Sequence, residues 1–179
     1  MILRWVLFSI LDILLLPVWF IAAPILSLFT AKGWPKWGSL FWTYDNPSQG
    51  DLGWQTKRSY FPNTNDRLKL YCNRVGWLWR NPGYGYQKFA GVLWGEGYLV
   101  TIRGNPQISD KYKRPGKYFA TCQDKEGNLV AFEFYCVFPY SESRCFRCRL
   151  GWKIVTDKFQ SRGFAPLVNT FNPLDGYGD

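Results

Sequence analysis

The stretch that most restricts this chain is Trp5–Ala31, WVLFSILDILLLPVWFIAAPILSLFTA, which contains no lysine or arginine. As a straight helix at about 1.5 Å per residue it reaches about 40 Å, more than the roughly 30 Å of a bilayer's hydrocarbon core. Residues 1–31 therefore read as a membrane segment. A buried helix this hydrophobic would need a larger partner core than the remaining chain offers. A cleaved signal peptide fits poorly: at Ala22-Ala23 the third position back is Ile21, and Pro24 would follow the cut. Pro17 and Pro24 each remove a helix hydrogen bond and invite a kink. Two topologies stay open: one spanning helix, or a re-entrant hairpin of two half-helices, Trp5–Leu16 and Val18–Phe29. Asp12 is the one carboxylate in the segment. An intramembrane carboxylate is a functional candidate by default. Otherwise it sits near headgroups, is protonated, or faces a neighbouring helix.

Charge and aromatic content extend this reading. The net charge is +9, and Arg4 and Asp12 cancel within residues 1–31, so the whole excess lies in residues 32–179. Aromatics make up 20% of the chain, with ten tryptophans, a usage suited to interfaces and membrane boundaries. A basic, aromatic body points to an anionic partner, either phospholipid headgroups or nucleic acid. Lys32, Lys36, Lys57 and Arg58 follow the apolar segment, and the positive-inside rule then places the C-terminal part in the cytoplasm. Five cysteines, an odd number without a clear pairing pattern, agree with a reducing compartment.

Directly after the segment comes KGWPKWGSLFWTY. Trp34, Trp37, Phe41 and Tyr44 recur at spacings of three and four, so a short helix would put them on one face. With Lys36 beside it, that face reads as an interfacial collar. Tyr44–Trp54 lacks the oxygen-ligand spacing of a calcium loop. Its Asn-Pro, Gly50 and Gly53 read as turns, with Trp54 docking into the domain. Residues 32–54 thus form an interfacial helix and loop, and residues 55–179 a soluble α+β domain. In that domain Asp66 caps a helix starting at Arg67, with Leu68, Tyr71, Cys72, Val75, Leu78 and Trp79 in one stripe and Asn81-Pro82-Gly83 as its stop. GYGYQ follows as loop.

Beyond Gly91 the pattern turns to β. Tyr98–Gly104 reads as a strand, and GKYFATCQD and NLVAFEFYCVF flank KEGN as a hairpin. RCFRCRLGWKIVT alternates, with Phe146, Cys148, Leu150, Trp152 and Ile154 on one face and Cys145, Arg147, Arg149 and Lys153 on the other. A short strand is expected around Leu167–Phe171. The expected fold is therefore an N-terminal transmembrane helix and an antiparallel meander packed on one amphipathic helix.

Chemistry is sparse. Histidine is absent, which removes the commonest general base and metal ligand. No P-loop, dinucleotide fingerprint or nucleophile triad is present, and no cofactor or catalytic residue is assigned. Cys145 and Cys148 form a lone CxxC. With Cys122 and Cys136 they could make a four-thiolate zinc site, but residues three apart on a strand point to opposite faces, so structural cysteines are the expectation. Arg74, Trp77, Arg80, Tyr84 and Tyr86 form a candidate partner surface. With Trp79 and Lys88 they could also stack bases and follow a phosphate backbone, although no named nucleic-acid module is present.

The ordered motifs GWPKWGSLFWTYDNPSQGDLGW, YCNRVGWLWRNPGYGY, RGNP, RCFRCRLGWKI and FNPLDGYG resemble an uncharacterised family of small proteins encoded by tailed bacteriophages. The resemblance implies a phage origin and an N-terminal membrane segment, and it implies no reaction. The expected role is a non-enzymatic accessory protein in the host's inner membrane, binding a host or phage membrane protein as in superinfection exclusion or host takeover. A virion or ejected component and a single-strand-binding module are the alternatives.

Overall fold

A computed structural model of the chain describes residues 1–30, 32–43, 46–155 and 163–178. The architecture is α+β, an N-terminal apolar helix followed by helices and antiparallel sheets. Contacts divide the chain into two compact units, residues 8–89 and residues 1–7 with 90–179. The expected segments 1–31, 32–54 and 55–179 are divisions by environment, and the division by contact falls elsewhere.

In the unit 8–89, helix α1 (Ile2–Leu28) runs unbroken through Pro17 and Pro24. The re-entrant hairpin is therefore not formed. Because Pro24 has no N–H, the Phe20 carbonyl lacks its partner one turn on. The Trp79 indole N–H fills that vacancy, donating to Phe20 O at 3.0 Å. Helix α2 (Arg67–Arg80) starts where its capping signal places it, with Lys69 N donating to the Asp66 carboxylate at 2.9 Å. Replacing Asp66 by alanine is expected to cost about 1 kcal/mol in a urea titration. The contacts of α2 run to α1 and to the 46–61 segment, inside its own unit. Tyr71 OH donates to Pro24 O at 3.2 Å, and Leu78 packs with Ala23, Leu26 and Trp42. Trp54 docks as expected, its indole donating to Asn73 O at 3.1 Å.

Two local expectations change. The collar helix shrinks to a single 3-10 turn, Lys36–Gly38, because Pro35 precedes it and Gly38 lies against the Trp42 ring, where no Cβ fits. Tyr44 and Asp45 lie outside the described residues. GYGYQ, expected as loop, forms the short helix α3 (Tyr84–Phe89). A side chain at Gly85 would land on the Ser39 carbonyl oxygen. Only glycine lets α3 come close enough for Tyr86 N to donate to Leu40 O at 2.9 Å.

The other unit is built on strands β2 (Leu99–Gly104), β3 (Gly116–Gln123), β4 (Leu129–Pro139), β5 (Arg144–Trp152) and β7 (Leu167–Gly176). They form one antiparallel sheet in the order β2-β3-β4-β5-β7. A separate two-stranded pair joins β1 (Val92–Leu93) to β6 (Phe164–Ala165). The hairpin between β3 and β4 turns at Asp124–Asn128, as its Gly-Asn signal requires. β7 runs further than the short strand expected. Its Asn-Pro reads as a turn, but an edge strand tolerates proline, and β7 is an edge. The first turns of α1 pack on one sheet face. Trp5 meets Phe132 at 5.4 Å, and its indole donates to Asn169 Oδ1 at 2.9 Å. Phe132 in turn meets Trp152, which is fully buried, at 5.8 Å.

Candidate membrane interface

Helix α1 sorts its residues in the opposite sense to a water-soluble helix. Asp12, Trp19, Ala23, Leu26 and Ser27 are buried, while only 17% of its most apolar 18 residues are. Leu3, Leu7, Ile10, Leu14, Ile21, Ile25 and Leu28 are exposed, Ile21 by 71%. At 3.6 residues per turn, these positions and their neighbours Ile2, Ile13 and Phe20 cover roughly half the circumference. No polar side chain interrupts that half. The polar residues Ser9, Asp12 and Ser27 all lie on the packed side. In water such an arrangement exposes oil and buries charge, the reverse of what the hydrophobic effect favours. A coiled-coil partner would cover only a narrow seam, leaving Ile2, Ile13 and Phe20 bare.

Asp12 thus faces protein, not the exposed side. Its carboxylate is buried two turns from the Trp19 indole, on the same side of the helix. Among the described residues, neither Asp12 Oδ1 nor Trp19 Nε1 has a hydrogen-bond partner of good geometry.

The collar residues divide. Trp37 stays 66% exposed beside Phe29, at 5.9 Å. Trp34 stacks on the buried Trp42 at 5.2 Å and donates to Asn46 O at 2.8 Å. Phe41 packs edge-on against Trp19 at 4.9 Å. The side chain of Lys36 lies outside the described residues. So Trp37 remains at the surface, while Trp34 and Phe41 help to hold the turn against α1.

The candidate partner surface does not form as one patch. Trp77 is 3% exposed, with its indole donating to Thr43 Oγ1 at 3.2 Å. Tyr86 is equally buried, and its hydroxyl donates to Phe8 O at 3.1 Å. Arg74 is buried with its guanidinium on Leu70 O, and burial pulls its pKa down. Arg80 is exposed and lies over the Trp54 ring at 5.8 Å, and Tyr84 is half-buried. Trp77 and Tyr86 therefore offer no open face on which a base could stack. Their burial follows from being wide apolar bodies with one polar atom each, for which a backbone or hydroxyl partner exists inside the fold.

The four-thiolate zinc set does not assemble. Among the described residues no group of three or more potential ligands converges. Cys122 and Cys145 point to one face of the sheet, and Cys136 and Cys148 pair across β4 and β5 on the other. All five cysteines are free thiols. Burial raises the Cys122 thiol to about 11, leaving roughly a thousandth of it as thiolate at pH 8. Maleimide at pH 8 is expected to modify Cys72 and Cys136, both half-buried, long before Cys122, Cys145 or Cys148. Mass spectrometry of the labelled chain reads the order.

A second cluster went unread in the sequence. Glu133, in the middle of β4, is 0% exposed. It accepts from Tyr118 OH at 2.9 Å, from Arg149 Nε at 2.6 Å, and from the backbone N–H groups of Ile154 and Val155 at 2.8 and 2.9 Å. Beside it Asp110 accepts from Tyr135 OH at 2.8 Å and from Arg147 at 3.1 Å. Arg147 also meets Asp175 at 2.8 Å, a charge contact without an aligned N–H. The cations expected along this side of β5 are therefore paired inside the unit. The signal in the sequence was a single carboxylate inside an apolar strand, AFEFY. Glu133 has its acceptor positions filled by donors of its own fold, which makes this cluster a fastening between strands.

The profile of a family described as a family of unknown function, DUF7338, matches residues 1–179. Neither a curated protein nor a solved structure matches the chain.

Proposed function

The chain belongs to a family of unknown function, and we propose that it is a non-enzymatic accessory protein seated in one leaflet of a membrane. The observation that carries this reading is the uninterrupted apolar half of α1, exposed while Asp12 and Ser27 of the same helix are buried against protein. Trp37 and Phe29 extend that surface at the C-terminal end of α1, and tryptophan favours the headgroup boundary.

An in-plane seat suits the packing better than a spanning one. Within residues 8–89, protein runs beside α1 from Phe8, held by Tyr86, through Phe20 and Pro24, held by Trp79 and Tyr71, to Leu26. A spanning α1 would draw α2 into the hydrocarbon with its exposed Arg67, Lys69 and Arg80. Each such charge costs about 2.5–3.5 kcal/mol at the bilayer centre. Lying along the surface, α1 buries its apolar side in lipid and leaves those cations at the anionic headgroups, where each contributes about 1 kcal/mol of attraction.

The resemblance to tailed-phage proteins makes the host's inner membrane the proposed location and the cytoplasm the proposed side. There the protein engages a membrane-associated host or phage partner. Fractionation of expressing cells is the test. The protein is expected in the membrane pellet, resistant to high salt and released by detergent. Recovery in the soluble fraction without detergent overturns the reading. Protease protection of tags at the N-terminus and after Lys32 separates the two seats: same-side tags mean in-plane, opposite-side tags mean spanning.

A further inference from the structure

A groove of about 530 Å³ opens to the surface between α1 and α2, lined among others by Pro24, Tyr60, Phe61, Cys72, Val75 and Trp79. That volume is within the range of small-molecule sites, about 300–1,000 Å³. The walls offer almost only carbon. The two polar groups beside them are already committed, Tyr71 OH to Pro24 O and Trp79 Nε1 to Phe20 O. Gly76 keeps the far wall close: a Cβ there would meet the Tyr60 ring at 2.6 Å, so the ring lies directly on α2.

Two further features say what fills it. The Phe20 ring stacks on Trp79 at 6.4 Å and is itself exposed on α1, so the groove is continuous with the apolar side of that helix. One wall has a cation beside it. Lys69 sits 5.8 Å from the Phe61 ring, and Lys57, Arg58, Arg67 and Arg80 are also exposed in the surrounding segment. Across residues 55–80 the one carboxylate is Asp66, which is occupied as a helix cap. Carbon walls with a cation beside them, in a segment rich in exposed cations, match a chain with an anionic head. We propose that the groove holds one acyl chain of an anionic phospholipid, with its phosphate toward Lys69. This inference rests on the membrane-seated reading above. A second copy related by two-fold symmetry would set the same cations against each other.

The test uses the full-length protein bound to phosphatidylglycerol vesicles that carry a diazirine midway along one acyl chain. After irradiation, adducts are mapped by mass spectrometry. Adducts are expected on Tyr60, Phe61 and Cys72 in addition to the exposed side of α1. Cys72→Trp fills the groove and is expected to abolish the groove adducts while leaving vesicle binding and the α1 adducts unchanged. A measurement on the unaltered chain guards against a misfolded variant: vesicle lipid is expected to protect Cys72 from maleimide relative to Cys136. Adducts on α1 alone, with Cys72 unprotected, overturn the acyl-chain site and leave the membrane seat standing. Absence of vesicle binding overturns both. Interchain cross-links at Cys72 formed by a bismaleimide added to the same vesicles, in place of lipid adducts, assign the groove to a second copy and overturn the proposal.

Discussion

Replacing Leu14 and Ile21 together by lysine is expected to move the protein from the membrane pellet to the soluble fraction. The two side chains are 68% and 71% exposed and lie near the middle of the apolar side of α1. Each contributes about 1.5–3 kcal/mol when lipid covers it. Losing both removes on the order of 3–6 kcal/mol, a factor of roughly 10² to 10⁴ in partitioning. Because neither residue belongs to the buried core, the fold should persist, and the circular dichroism of the released variant should match that of the detergent-solubilised parent. Vesicle flotation across a lysine series then reads the lipid-facing side directly. Lysine at Ala23, buried at 1%, is expected to unfold the protein instead.

Replacing Glu133 by alanine is expected to unfold the sheet unit under conditions where the parent is stable. The change strands the Arg149 guanidinium and orphans Tyr118 OH and two backbone N–H groups. Breaking a buried ion pair from one side costs about 3–5 kcal/mol, against about 5–15 kcal/mol for a whole domain. Glu126→Ala is the control. Its 3.6 Å pair with Lys125 is more than half exposed on both sides, so the change should cost at most about 0.5 kcal/mol. Combining Glu133→Ala with Arg149→Ala should cost less than the sum of the two. The same cluster sets an alkaline limit. Burial, then the facing carboxylates Glu133 and Asp110, hold the Tyr118 and Tyr135 hydroxyls above the ordinary phenol value of 10.0. Groups raised in this way stabilise fully below their unfolded pKa. Stability should therefore fall as the pH rises through about 10 toward the folded values, and Tyr118→Phe should flatten that fall in a titration of urea midpoints.

What the sequence disclosed depended on how local the cause was. The apolar helix, the Asp66 cap, the stop at Asn81-Pro82-Gly83 and the β3–β4 turn are each settled within a few residues, and each stands in the structure. Where distant segments decide, the reading differed. Trp34, Trp37 and Phe41 have helical spacing, yet Trp42 lying on Gly38 holds a 3-10 turn. Trp77 and Tyr86 look like exposed aromatics until Thr43 and Phe8 supply their hydrogen-bond partners. Glu133 announces itself as a charge in an apolar strand, but its partners come from β3, β5 and the segment beyond. The groove beneath Tyr60 requires α1 and α2 side by side, which no periodicity encodes.

The chain's first turn and its last strand share a unit, and this has a consequence during synthesis. Trp5 leaves the ribosome early, but its hydrogen-bond partner Asn169 is 164 residues behind. At 5–20 residues per second that partner arrives roughly 10–30 s later. Until α2 emerges, α1 is an oily rod without its own protein to cover even one side, and its first turns wait for the sheet throughout that interval. A nascent chain in this condition needs either a holding chaperone or immediate delivery to lipid. On the membrane-seated reading proposed above, the bilayer is the first surface α1 meets, and the sheet closes on its first turns afterwards.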